Sequence, residues 1–397
     1  MVSIPHPGRA TRAGVYLPQP AGYRAFIPKN LPPDPPLDVD AALATLLSEA
    51  DSAVGRLDGV ASTLPDEGLF VGMYALREAV LSSQIEGTQA SLVDVLTAQT
   101  EAEQPRSDDL REAQNYGIAM HYGLERLKTL PLSLRLIREI HAKLLDGTRG
   151  TNRDPGEFRR SQNWIGAAGS DLSTARFVPP PPPDMTSALE SLELFLHSTE
   201  PMPPLLRVAV AHAQFETIHP FLDGNGRVGR LLITFLLCTY GVLHRPLLYL
   251  SYFLKAHRAE YYDRLQAVRD EGAWEAWTAF FLQGVRQVAD EAAGTARQIL
   301  RLRERHRQVV TDNLGKGAAN GLLLLESLYR QPVVTNRSAG KTLGIAPANA
   351  TALVRRLESL ELLTETTGRK RNKRYMYYPY LTLFPEAQED PRAFPES

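Results

Sequence analysis

The chain has 397 residues, enough for two or three domains of ordinary size, and its 44 Lys and Arg against 45 Asp and Glu leave a formal net charge of −1. That balance excludes a chain basic or acidic throughout and confines any nucleic-acid surface to a local patch. The lone Cys238 excludes an internal disulfide framework and a thiolate zinc cluster, and the longest apolar run, residues 231–243, falls short of the ~20 residues that span a bilayer. With no signal-peptide core in the first residues, a soluble cytoplasmic protein with no membrane partner is expected.

Residues 1–40 are rich in proline (Pro32, Pro33, Pro35, Pro36) and cannot form regular helix. From Ala41 to about Thr100 the apolar spacing is helical, as in Leu43, Leu46 and Leu47, then Leu76, Val80 and Ile85. A second helical stretch runs from Asp109 to Leu145 and breaks near Pro131. Residues 146–183 are rich in glycine and proline, and their few β-type residues, Ala175 to Val178, predict a short hairpin on a helical body. Helical periodicity returns at Met185 and lasts to about Val310, where Gly315, Gly317 and Gly321 mark a break before a compact C-terminal piece. There is no internal repeat. The expected fold class is mainly α.

The densest chemistry lies in His219-Pro-Phe-Leu-Asp-Gly-Asn-Gly-Arg-Val-Gly-Arg230. Glycines on both sides of Asn225 let the backbone turn tightly and expose its N–H groups, and an amphipathic run starts directly after. Those N–H groups therefore sit at a helix N-terminus, which is an anion site. Arg227 and Arg230, three apart, share a face of the first turn and suit a polyphosphate. Asp223 offers a hard oxygen of the kind Mg²⁺ takes beside phosphates, and His219 can accept a proton near neutral pH. Base, metal ligand and phosphate cradle within twelve residues describe a phosphoryl- or nucleotidyl-transfer site.

Other readings of these residues are weaker. Gly224-x-Gly226-x-x-Gly229 has the form of a dinucleotide fingerprint, but no apolar strand precedes it and the chain shows no βαβ alternation. Gly340-Lys341-Thr342 imitates a P-loop, yet the upstream glycine position holds Thr335. His212, Glu216 and His219 fall on one helix face as metal ligands might, but the order is not that of zincins, and support of the helix leading to His219 accounts for the first two. Phe221 is expected to anchor the loop in the core.

His219 to Arg230 resembles the Fic family signature, His-x-Phe-x-Asp/Glu-Gly-Asn-Gly-Arg-x-x-Arg, with no departure at a fixed position. Tyr23 to Leu92 resembles the N-terminal region of bacterial Fic proteins. Pro155 to Arg159, with Gln162 to Gly166, resembles the segment before the family's substrate flap, and Ala175 to Pro179 the flap itself. The resemblance implies a Fic helical core with a short β-hairpin flap and an N-terminal helical region, and transfer of AMP from ATP to a Ser, Thr or Tyr hydroxyl of a protein target. It implies His219 as base, Asp223 as the Mg²⁺ ligand, Gly224, Asn225 and Gly226 as the nest for the α phosphate, and Arg227 and Arg230 on the distal phosphates. The flap would align the target backbone by strand addition. His257, in the aromatic stretch from Tyr249 to Tyr262, is a candidate for the adenine pocket, with core packing as the competing reading.

Ser82-x-x-x-Glu86-Gly87 alone is a helix end with two polar residues one turn apart. Beside the Fic signature it resembles the family's inhibitory helix motif. That implies Glu86 paired with Arg230 in the place of the γ phosphate, and a weakly active enzyme. The C-terminal piece reads as a winged helix-turn-helix: a helix from Leu322 to Tyr329, a pair from Ser338 to Leu343 and Pro347 to Leu357 around Gly344, and a basic wing with Arg369, Lys370, Arg371, Lys373 and Arg374 among tyrosines. Such a tip binds DNA in some proteins and protein in others. The expected domains are 1–100, 101–310 and 318–385, and a homodimer is expected by family analogy. Two alternatives stand beside the adenylyltransferase: a DNA-binding regulator whose Fic core senses nucleotide, and a Fic enzyme that moves another phosphate-containing group or removes AMP.

Overall fold

The computed structural model describes residues 11–62, 67–100, 107–167 and 169–384. The first ten residues of the proline-rich stretch and the last residue of the expected 318–385 unit lie outside these. Within the proline-rich stretch two strands form an antiparallel hairpin, β1 (Gly14–Pro18) and β2 (Arg24–Pro28), with Tyr16 opposite Phe26. Their rings meet edge to face at 5.0 Å, a cross-strand aromatic pair that stabilises so short a ladder. The sequence reading had excluded helix here without anticipating the strands.

The helical body follows the predicted periodicity. Helices α1 (Ala41–Ser62), α2 (Glu67–Ile85) and α3 (Leu92–Thr100) fill the first stretch, and α4 (Asp108–Leu127) and α5 (Leu134–Leu144) the second. Ser107 and Ser133 accept hydrogen bonds from the N–H groups of Leu110 and Leu136, which starts α4 and α5 where their apolar patterns begin. From residue 145 to 181 the chain is irregular apart from a 3-10 turn, Arg149–Asn152, and among the described residues the predicted hairpin is reduced to one antiparallel bridge between Ile165 and Phe177. The reason is distance along the chain, since the loop between the two partners is too long for a tight turn. The flap finds its other neighbour in β2, where the Phe26 N–H donates to the Val178 carbonyl at 2.9 Å.

Helices α6 (Pro182–Leu196), α7 (Pro204–Ile218) and α8 (Asn225–Thr239) carry the site. Every residue of α7 from Leu205 to Ile218 is buried, as is α8 from Arg227 to Leu237. The long apolar run, residues 231–243, is buried helix as far as Leu237 and runs past the end of α8 into a turn. Short α9 (Ser251–Ala256) and α10 (Arg258–Glu271) lead into α11 (Trp274–Leu314), 41 residues long, against which α1 lies along its length. No helix among the described residues is long and apolar enough to cross a membrane.

The C-terminal unit comprises α12 (Ala318–Arg330), β3 (Val333–Thr335), α13 (Asn336–Leu343), α14 (Pro347–Ser359), β4 (Thr364–Glu365), β5 (Arg374–Met376) and α15 (Tyr378–Leu381). Its sheet is antiparallel in the order β3-β5-β4, and Gly344, at φ +64°, turns α13 into α14. The predicted Gly-rich break is only a 3-10 turn, Gly315–Gly317, and does not part this unit from the body. Helix α12 packs on both α11 and α2, Gln331 Nε2 donates to the Leu96 carbonyl at 2.9 Å, and Phe384 meets the Tyr74 ring at 5.6 Å. One apolar core runs through both. Helix α2 thus packs on α4, α8 and α9 as well as on α12.

Candidate active site

The loop between α7 and α8 is held in shape by its own polar groups. Helix α7 ends at His219, which takes left-handed angles (φ 49°, ψ 61°) unusual for a residue with a side chain. Pro220 follows and disfavours helical angles at the residue before it, which helps to turn the chain there. The His219 carbonyl accepts from Arg159 Nε at 3.0 Å, and Arg159 also donates to the carbonyls of Ser161, Pro180 and Ile218. Asn225 closes the far side: its Oδ1 accepts from the Phe221 N–H and its Nδ2 donates to the Phe221 carbonyl, both at 2.8 Å. The Asn225 side chain therefore builds the loop, and what it offers an anion is its N–H at the start of α8.

Gly224 caps α8 at φ +79°, an angle that glycine adopts without steric cost. Asp223 sits just before it with Oδ1 accepting from the Gly224 N–H at 2.6 Å and from Arg227 Nη2 at 3.3 Å. Its carboxylate is 44% exposed, and Oδ2 faces Gly150, where a Cβ would come within 2.8 Å of it. His141 of α5 holds this corner from below. The Gly156 N–H donates to its Nδ1, so Nε2 carries the hydrogen and donates to the Asp223 carbonyl at 3.0 Å. Burial lowers the His141 pKa to about 4, so the ring stays neutral, and it stacks on Phe221 at 3.7 Å. Phe221 anchors the loop in the core as expected.

The two arginines diverge from the shared role expected of them. Arg227 Nη1 donates to Glu112 Oε2 on α4 at 3.0 Å. Arg230 turns to α2, where its Nε donates to Ser82 Oγ at 2.7 Å and its Nη2 to the Ser82 carbonyl and to Glu86 Oε1, at 2.9 and 2.8 Å. Ser82 and Glu86, one turn apart, grip one guanidinium. Helix α2 stops just before Glu86, and Gly87 follows at φ +102°. The pair is not a surface ion pair: the Arg230 side chain is 1% exposed and that of Glu86 34%. Burial opposes the charge on Arg230, and Glu86 together with the nearby Tyr261, Tyr116 and Tyr262 holds the pKa above the ordinary value. Glu86 also caps the nest, since a Cβ on Gly226 would lie 2.3 Å from its Oε1.

His219 is kept neutral. Burial, with the nearby charges of Arg269 and Arg159, lowers its pKa to about 3, and its Nδ1 is buried without a hydrogen-bond partner. Arg269 of α10 donates to Thr217 Oγ1 and to the Glu216 carbonyl at the end of α7, each at 3.2 Å, and lies 3.9 Å above the Phe177 ring of the flap. Phe177 spends its N–H and carbonyl on Ile165. Behind the site, His212 Nδ1 donates to the Gly229 carbonyl at 3.0 Å and its Nε2 accepts from Tyr261 at 2.9 Å, the supporting role expected of it. Glu216 abuts Gly229, and burial raises its pKa to about 7.

His219, Asp223, Gly224, Asn225, Gly226, Arg227, Arg230 and Glu86 thus meet around one helix N-terminus. His257, at the junction of α9 and α10, packs on Phe253 (4.4 Å, edge to face) and Phe280 (6.4 Å), the core-packing reading. Glu112, His141, Arg159 and Arg269 escaped the sequence reading. The donor set fits a triphosphate: Arg230 Nη1 and Arg227 Nε are buried without partners, and Gly226 itself carries no side chain, so only the Glu86 carboxylate stands over it. No cluster of three or more His, Cys, Asp or Glu suited to a metal occurs among the described residues. A lone carboxylate suits a cation held mainly by phosphates and water, as Mg²⁺ is.

Residues 44–125 match the family model described as Fic/DOC family N-terminal, and residues 131–237 the one described as Fic/DOC family. A protein adenylyltransferase Fic of Aedes aegypti is 34% identical over 198 residues, 47% of this chain and 36% of its own. A protein of the same name from Drosophila willistoni is 28% identical over 243 residues, 59% and 42% of the two chains. The chain spans less than half the length of these relatives. A solved Fic family protein from Desulfovibrio desulfuricans G20 shares the fold with a TM-score of 0.57 at 20% identity, covering 86% of this chain and 97% of that one.

Proposed function

We propose that this chain, which carries a Fic/DOC N-terminal region followed by a Fic/DOC domain, is a protein adenylyltransferase that moves AMP from ATP to a Ser, Thr or Tyr hydroxyl of a protein target and is restrained by Glu86. The observation that carries the reading is the Arg230 guanidinium held by Glu86 Oε1 beside the glycine-lined start of α8, on the loop that follows His219. In this reaction a ring nitrogen of His219 takes the proton of the target hydroxyl as its oxygen attacks the α phosphorus. The bond from that phosphorus to the bridging oxygen breaks, and pyrophosphate leaves. The N–H groups at the start of α8 take the growing charge on the α phosphate, and Arg230 takes the distal phosphates. Mg²⁺, when bound, neutralises phosphate charge, and Asp223 would hold it.

Glu86 blocks this in two ways. It occupies the Arg230 fork, and its carboxylate stands over Gly226, where a phosphate oxygen would approach. Mass spectrometry of the protein incubated with ATP and Mg²⁺ tests the reading, since an added AMP, an added phosphate and no addition differ in mass. Addition of AMP supports it; phosphate or no addition, in both the native chain and Glu86→Gly, rejects it in favour of another Fic chemistry or of nucleotide sensing.

The C-terminal unit is read as a winged helix-turn-helix that binds DNA. The reading is supported by Gly344 between α13 and α14 and by exposed Arg369, Lys370 and Arg371 at the tip between β4 and β5. Gel shifts across a salt series check it, because each neutralised phosphate adds ~0.9 to the slope of log affinity against log salt. A cytoplasmic location and a homodimer belong to the same reading, the latter open to size-exclusion chromatography with light scattering.

A further inference from the structure

We propose that Glu112 is a positioning residue that acts through Arg227 to orient Asp223 toward the metal; this rests on the adenylyltransferase reading and deepens it. Glu112 sits in the second turn of α4 with its two oxygens divided between two arginines. Oε2 accepts from Arg227 Nη1 at 3.0 Å, and Oε1 accepts from Arg149 Nε at 3.1 Å. The Glu112 side chain is 8% exposed and that of Arg227 4%, so neither end of the pair is free to wander. A guanidinium is planar, and fixing one terminal nitrogen fixes where the other points. That other nitrogen, Nη2, reaches Asp223 Oδ1 at 3.3 Å. The Gly224 N–H donates to the same oxygen. Two donors saturate Oδ1, and Oδ2, on the side kept open by Gly150, remains the oxygen of Asp223 available to a metal.

The charges alternate along this line: Asp223, Arg227, Glu112, Arg149. Glu112 offsets the charge on Arg227, which otherwise falls wholly on Asp223 and competes with a divalent cation for it. Arg227 accordingly spends Nη1 on Glu112 and Nη2 on Asp223 and leaves only Nε for a phosphate, a narrower role than the one family resemblance implied for it. Partners one shell behind a metal ligand commonly change metal affinity by about 10- to 100-fold when altered.

The test is equilibrium binding with the full-length chain in a Glu86→Gly background, using calorimetry for ATP with and without Mg²⁺ and Mn²⁺ titration by electron paramagnetic resonance. Glu112→Gln is expected to weaken divalent-metal affinity about tenfold and to leave metal-free ATP binding within about twofold. Arg227→Lys, which keeps the charge but loses the fork, is expected to do the same. Equal losses with and without metal would make Arg227 a phosphate arm and overturn the proposal, as would unchanged metal affinity. Should Glu112→Gln fail to fold, Arg149→Gln at an exposed position frees Oε1 and should weaken metal affinity about threefold, the size of an exposed ion pair; no change there overturns the proposal too. A parent Glu86→Gly protein that binds no ATP would reject the adenylyltransferase reading itself, a different result from a parent that binds metal and ATP and a Glu112 variant that matches it.

Discussion

Glu86, where α2 has just ended, and Glu112, inside the second turn of α4, each bring a carboxylate to an arginine in the first two turns of α8. Glu86 rests in a turn closed by Gly87, is one-third exposed, and makes one hydrogen bond to Arg230, whose remaining bonds to Ser82 survive without it. Glu112 is buried in a helix and clamped between two arginines. The chemistry of the two pairs is the same and the mechanics differ. A carboxylate that must leave for ATP to bind productively belongs at a helix end, and one that must stay belongs inside a helix.

Removing the base proposed for the reaction should give the largest effect. His219→Ala in a Glu86→Gly background is expected to lower AMP transfer by about 10²- to 10⁴-fold while ATP affinity stays within a few-fold, read by radiolabel transfer and calorimetry. Near-normal transfer would remove His219 as the base and leave the comparison without a reaction to regulate.

Stability should separate the two carboxylates next. Glu112→Ala strands a buried guanidinium and is expected to cost about 3–5 kcal/mol. Glu86→Gly removes one hydrogen bond to a charged group, about 1.5–3 kcal/mol, more than an exposed ion pair would cost because Arg230 is buried. Urea unfolding of both variants checks this. Equal costs would break the distinction between a removable and a fixed carboxylate.

The smallest effect concerns Glu216, the buried carboxyl beside Gly229. Its folded pKa of about 7 lies above its unfolded value, so the fold holds a proton that the unfolded chain releases. The stability it contributes is present below the unfolded value, ~4.3, and is lost as pH rises toward 7. Glu216→Gln lacks this loss, and its Tm relative to the native chain should climb by a few degrees from pH 5 to pH 8. A constant difference would mean that Glu216 is charged throughout and shares Arg230 with Glu86.

The motif loop was legible because the residues proposed as base, metal ligand and nest are all within twelve contiguous positions, and spacing alone puts them at a helix start. Glu86 was legible only by resemblance, since nothing local distinguishes it from any glutamate at a helix end. Glu112, Arg159 and Arg269 were not legible at all: each acts on the loop from another element, and no spacing rule links residues so far apart. His141 was hidden for another reason, since a histidine on the apolar face of an amphipathic helix reads as core. The same limit explains the flap, whose bridge joins Ile165 to Phe177 across a long loop, and the C-terminal unit, whose glycines marked a turn but could not show that α12 would close on α2.

Labelled-AMP transfer by the native chain, Glu86→Gly, and Glu86→Gly with Arg230→Ala tests the central claim most directly, with self-modification as the readout. The account predicts a gain of at least about tenfold in Glu86→Gly, equal to ~1.4 kcal/mol of restraint removed, and loss of that gain in the double variant, where the freed arginine is gone. Equal labelling by the native chain and Glu86→Gly, with both correctly folded, would contradict it.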